Sequence, residues 1–287
     1  MPARRFNALF LIKNRKMRTL LYSIGNLLII SLLAGCISRT EKESRVHFQR
    51  VDTLVAGHES RSALQLLDSI MIWYKEDYGI VGEAIKKRDT IALAYHQEVT
   101  GISESLLKGL EPRITALSAD FLFTPGEPGQ PGTYVHKRQT LQSSWNRTFL
   151  KIGLNEEGDI WLTSHYYGKS WIDHTNLRVY EPGSYILTDT IPLGHDWNRK
   201  VEDLGDRWET VEFREGSDAG AIAFIADNWQ KSVKVRLTGK TFHYIVLESY
   251  DKEAIRKGWE LAQVLKERHG IRETIRFHQA ELRKLGV

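Results

Sequence analysis

Cysteine is nearly missing from this chain: Cys36 is the only one in 287 residues. A lone thiol excludes any internal disulfide, so the fold must be held by its core. A long apolar run is missing too. The stretch Leu20 to Leu33 is interrupted by Ser23, Gly25, Asn26 and Ser31, and it falls short of the roughly 20 apolar residues a spanning helix needs. Linear signatures of catalysis are equally sparse. There is no Gly-x-Ser-x-Gly, no glycine loop to cradle phosphate and no His-x-x-x-His, which argues against the common hydrolase, nucleotide and zinc chemistries. The paired carboxylates of a glycosidase leave no linear mark, because their pairing is spatial.

An excess of one charge is also lacking once the N-terminus is set aside. The chain carries +4, yet Arg4, Arg5, Lys13, Arg15, Lys16 and Arg18 all lie in residues 1–35, which hold no acid. Without them, 34 basic residues face 36 acidic ones, a formal −2. The pI near 9.0 thus belongs to the leader, and no nucleic-acid partner is expected.

What the N-terminus does contain is ordered. A cationic stretch, the apolar run to Leu33 and the small residues Ala34 and Gly35 follow in the sequence of a secretory signal, expected over residues 1–35. Met17 opens a second, shorter version of that signal, and we take it as the expected true start. Leu33-Ala34-Gly35-Cys36 resembles the lipobox of bacterial lipoproteins. The resemblance implies cleavage between Gly35 and Cys36, a diacylglyceryl group on the Cys36 thiol and an amide-linked chain besides, palmitate among these acyl groups. Two or more chains hold a protein at a membrane stably, each buried methylene contributing about 0.8 kcal/mol. Ile37 and Ser38 differ from the aspartate signal that retains lipoproteins at the inner membrane, so the outer membrane is the expected location.

The remainder reads as helix, strands, helix. Residues 36–45 are polar and are expected to form a lipidated tether, followed by a helical region over 46–123. A first helix, Val46 to Ala56, is expected to stop at Gly57. A second begins near Ser60, with Ala63, Leu64, Leu66, Leu67, Ile70, Met71 and Tyr74 on one face. A third carries the heptad-like series Val81, Ile85, Arg88, Ala92, Tyr95, Val99, Ile102 and Leu106, expected to pack on neighbours rather than to form a dimeric coiled coil. Pro112 should break or kink it. Residues 124–133 hold three prolines and three glycines and are expected as a linker between domains or a long surface loop.

A β domain over 134–249 follows. Strands are expected at Phe149–Leu154, Asp159–Tyr167, Asn176–Glu181, Tyr185–Asp189, Glu209–Arg214, Ala221–Ala226, Lys231–Thr238 and Lys240–Glu248, with Asn155 to Gly158 as a hairpin turn. Such spacing predicts an antiparallel sandwich or half-barrel. A helical region over 250–287, capped by Asp251 and divided at Gly270, completes an α+β fold.

Candidate chemistry is thin. His165, His174 and His195-Asp196 lack the spacing of metal ligands, and no metal or cofactor is expected. Asp196-Trp197-Asn198-Arg199-Lys200 begins like a calcium loop, but Lys200 and Val201 stand where an oxygen ligand and a glycine belong, so a solvated loop is expected. Ser164 and His165 are neighbours on opposite faces of a strand and cannot form a nucleophile–base pair. Six of eight tryptophans fall in the β region; most should pack in the core or at its rim. Trp171, Tyr166 and Tyr167, flanking Gly168, are the expected exposed rings for a ligand. Thr53, Ser69, Thr90 and Thr190 each stand in an Asp-Ser/Thr-aliphatic triplet similar to the O-glycosylation acceptor of Bacteroides-type bacteria.

Ala63 to Ile70 (Ala-Leu-Gln-Leu-Leu-Asp-Ser-Ile), together with the lipobox and the helix-then-β order, resembles the envelope lipoproteins of those bacteria, a group without an assigned activity. That group has no activity to carry over, and the expectation is an anchored, non-enzymatic module whose helical region is a spacer or docking surface and whose β domain binds a partner such as an envelope protein; the alternative is a surface protein that binds or processes a glycan.

Overall fold

The computed structural model describes residues 39–140 and 146–287. The signal, Met17, Gly35 and Cys36 lie outside the described residues, as does Trp145. The chain divides into two units, one ending at His96 and one beginning at Gln97. That boundary falls inside a helix and not at residues 124–133.

The first unit is helical because three amphipathic stripes can bury one another. Helix α1 (Arg39–Ala56) begins within the expected tether. Residues 39–45 are polar, yet Arg39–Glu43 and Glu41–Arg45 pair one turn apart and Ser44 is buried, which suffices to extend a helix. Helix α2 (Ser60–Trp73) follows; its cap position is Glu59, one residue before the expected Ser60. The α1 stop also differs from expectation. Glu59 N–H bonds Leu54 O and His58 N–H bonds Val55 O, the paired reversal of a Schellman turn. His58, not Gly57, takes the left-handed conformation, at φ 60°.

Helix α3 (Tyr78–Ser118) starts where the Asp77 carboxylate accepts from Gly79 and Ile80 N–H. Its first turns bury Ile80, Ala84 and Ile91 against Phe48, Val51, Ala63, Leu67 and Ile70. The heptad series is thus displaced by one residue, with Ile85, Ile102 and Leu106 exposed. Ile80-Val81 and Ile91-Ala92 offer two overlapping stripes, and the partner helices select between them. Pro112 stands within the helix, which continues to Ser118. Among the described residues no helix is long and apolar enough to cross a membrane.

The second unit is built on two antiparallel sheets, neither closed. Strands β1 (Phe121–Thr124), β2 (Thr133–His136), β3 (Phe149–Asn155), β4 (Ile160–Gly168), β8 (Asp206–Phe213) and β7 (Asn198–Asp203) form the larger, in the order β1-β2-β3-β4-β8-β7. Strands β10 (Phe242–Val246), β9 (Lys234–Thr238), β5 (Asn176–Glu181) and β6 (Ser184–Leu187) form the smaller. Residues 124–133 join the paired strands β1 and β2, so they are a surface loop rather than a domain linker.

Alternation along β3, β4 and β8 sends Leu150, Ile152, Leu162, Val211 and Phe213 to one face. They share a core with Leu177, Val179, Val235 and Leu237 of the smaller sheet. Helix α4 (Ala221–Asp227) joins that core through Ile222 and Ile225. This segment was expected as a strand. A short apolar run fits either period, and here alanine content and the Asp218 carboxylate accepting from Ile222 N–H favour the helix. Helix α5 (Ser249–Lys284) is continuous through Gly270 and lies on β3 so closely that a Cβ at Gly258 would stand 2.8 Å from Ile152 Cγ1. Asp251 lies in its first turn, buried, rather than at its cap. Leu261, Val264 and Leu265 of α5 meet Ile114 of α3 and Phe121.

Of the stretch expected as a solvated loop, Asp196 and Trp197 lie in the turn before β7, and Asn198, Arg199 and Lys200 open that strand. Leu204 and Gly205, both at positive φ, make a two-residue turn that folds it onto β8, with Asp203 opposite Asp206.

Candidate functional site

The two faces of the larger sheet carry different polar groups. On the inner face, alternation places Ser164 of β4 and Glu209 of β8 among core residues, and the segment between β4 and β5 brings His174 between them. Ser164 Oγ lies 2.6 Å from His174 Nε2, and His174 Nδ1 lies 2.7 Å from Glu209 Oε2. All three side chains are fully buried. Glu209 also accepts backbone N–H bonds from Ile172, Asp173 and His174. Burial alone would raise its pKa; the bonds from His174 and from the backbone overcome this and hold it below the ordinary carboxylate range. With Glu209 ionised, His174 Nδ1–H donates to it, and Nε2 shares a hydrogen bond with the Ser164 hydroxyl.

The connectivity is that of a serine hydrolase triad, but the surroundings are not. Ser164 is at 0% exposure, and a nucleophile must reach its substrate. The chain of hydrogen bonds instead ties the 172–174 segment to β8 and satisfies groups that would otherwise be buried without partners.

The outer face carries a cavity of about 330 Å³. Its floor follows the register in which Phe149 lies opposite His165 and His165 opposite Thr210. The Phe149 and His165 rings stack at 4.8 Å and 10°. Trp208 and Val201 line one end, and Lys151 the other. By register these ends stand four residues apart along β4, about 13 Å at 3.3 Å per residue. Burial drives the His165 pKa down to about 4, so its ring is neutral at pH 7, with Nδ1 3.3 Å from Thr210 Oγ1. Burial also lowers Lys151, against the pull of Glu212.

One wall is rigid. Arg147 makes two bonds to Asp251, at 2.6 and 3.1 Å, and one to Tyr250 at 2.7 Å. Its guanidinium lies 4.3 Å from the Phe149 ring centre. Burial opposes its charge, yet Asp251 raises its pKa on balance. Gln139, fully buried, braces the same carboxylate and both neighbours of Lys151 on β3, bonding Leu150 O and Ile152 N–H.

The residues expected to form a ring platform are not assembled as one. Tyr166 is buried: it points to the inner face, its hydroxyl donates to Ser170 O, and its ring lies against His243. Trp171 is half-buried with the Lys200 ammonium and the Arg207 guanidinium over its ring. Tyr167 is half-buried beside Trp208 and bonds Asp206. Of the acceptor hydroxyls, those of Thr53, Ser69 and Thr90 donate to the carbonyls of Gln49, Gln65 and Lys86 one helical turn earlier; Thr190 is exposed in the loop between β6 and β7. Among the described residues no three His, Cys, Asp or Glu side chains converge as a metal site requires.

Comparison with protein-family models, with curated proteins and with solved structures finds no match.

Proposed function

We propose that this chain is an envelope lipoprotein, anchored through acyl chains on Cys36 at the outer membrane, whose β region binds a partner and does not transform it. The observation that carries the binding reading is the cavity on the outer face of the larger sheet, walled by aromatic rings and braced by the Arg147–Asp251 pair. Its size lies at the small end of ligand cavities, about 300–1,000 Å³. The anchor rests on the order of charge, apolar run and Leu33-Ala34-Gly35-Cys36.

A glycan is the second reading, favoured by Trp208 on the cavity wall, with Asn146 and Asp203 also in the lining. Trp171 is the weaker candidate, since cations already cover its ring. Intact-mass analysis of the protein taken from cell membranes tests the anchor: a free sulfhydryl at Cys36 rules it out. A glycan array probed with wild type and Trp208→Ala separates the two readings, because glycan binding lost on that substitution establishes the second.

A further inference from the structure

We propose that the cavity takes a small molecule with a single carboxylate on a flat, apolar body, and that Lys151 receives the carboxylate. The inference rests on the binding reading above and adds the chemistry of the ligand.

Lys151 is unlike the cations around it. Arg147 is held by Asp251 and Tyr250, and Arg199 and Arg214 both engage Glu212. Among the described residues Lys151 makes no hydrogen bond or ion pair, although its side chain is half-buried on β3 and lines the cavity. A buried ammonium without a partner is unfavourable. Glu212, the carboxylate whose charge acts on Lys151, is already shared by two guanidinium groups. An incoming anion is the partner this amine lacks.

The rest of the cavity argues for a flat apolar body. Phe149 and the neutral His165 ring are stacked nearly parallel at 4.8 Å and present an aromatic pair to the cavity, and Trp208 adds a further ring to the lining. The polar atoms of Gln139 and the terminal nitrogens of Arg147 are already bonded within the protein. The carboxylate in the lining, Asp203, is exposed and stands beyond Val201 at the end remote from Lys151. One charged contact at one end, with ring faces between, selects a monoanion.

The test titrates the full chain with 2-naphthoate and with 2-naphthamide by calorimetry. A charge-assisted bond should make the carboxylate at least about tenfold tighter than the amide. Lys151→Met, with an unchanged circular dichroism spectrum, should bind both probes alike, near the amide's wild-type affinity. Equal affinities in wild type, or a carboxylate preference that survives Lys151→Met, would overturn the ligand assignment and leave the cavity as a binding site. Binding of neither probe would overturn the binding reading as well. The wild-type pair of probes decides the matter even if the variant does not fold.

Discussion

The two faces of the six-stranded sheet hold polar residues under opposite conditions. On the inner face, Ser164, His174 and Glu209 are sealed from solvent and each has its hydrogen-bond partner. On the outer face, Lys151 and His165 border a cavity, and Lys151 makes no hydrogen bond or close ion pair among the described residues. Residue types alone point the other way, since a Ser-His-Glu chain looks like catalytic machinery and a strand lysine does not. Satisfaction and access separate the roles. A fully bonded, unreachable network stabilises structure, whereas a reachable group left wanting a partner marks a place where a ligand can be recognised.

The contrast can be broken most sharply at Glu209. Glu209→Ala removes the acceptor of three backbone N–H groups and of His174, and it should destabilise by about 3–5 kcal/mol in thermal or urea melts. A loss below about 1 kcal/mol would show that the inner network is not structural. The outer face makes a prediction in pH. His165 titrates near 4 in the folded protein against about 6.5 unfolded, so the unfolded chain binds more protons between those values. The stability lost to His165 should therefore appear as pH falls from 6.5 towards 4, with an amplitude on the order of 3 kcal/mol. Subtracting the melts of His165→Phe from wild type isolates this component, and a flat difference would contradict it.

Gly258→Ala probes how tightly the inner face is closed, because the added methyl must displace Ile152. Overpacking of this kind costs about 1–3 kcal/mol, read as a lowered melting temperature. The smallest effect is expected at Lys151. Replacing an unpaired, half-buried ammonium with methionine should leave stability unchanged or raise it by up to about 1 kcal/mol. Marked destabilisation would mean that Lys151 has a structural duty after all.

Much of the architecture was legible because hydrophobic periods report burial. The α, β, α order follows from them, and strand β5 spans the residues its alternation indicates. Periodicity failed where composition masked it. Strand β7 is nearly all polar, so only the turn at Leu204-Gly205 and its pairing with β8 define it. The segment at Ala221–Asp227 is too short for its period to speak. The same limit governs the sites. Alternation alone places Ser164 on the core face with Leu162, but Glu209 is 45 residues further on, and nothing local links them. Lys151 sits in an evident strand; that no carboxylate comes free to meet it is a property of the assembled sheet.

His58 shows how a detail of backbone geometry can be put to use. A β-carbon in the left-handed region strains the chain by about 1–2 kcal/mol, and His58 carries that strain at the tip of the α1–α2 hairpin while Gly57, which would be exempt, sits one position too early. Shifting the glycine by a single residue, Gly57→Ala with His58→Gly, would give this hairpin a more durable corner with no new contact.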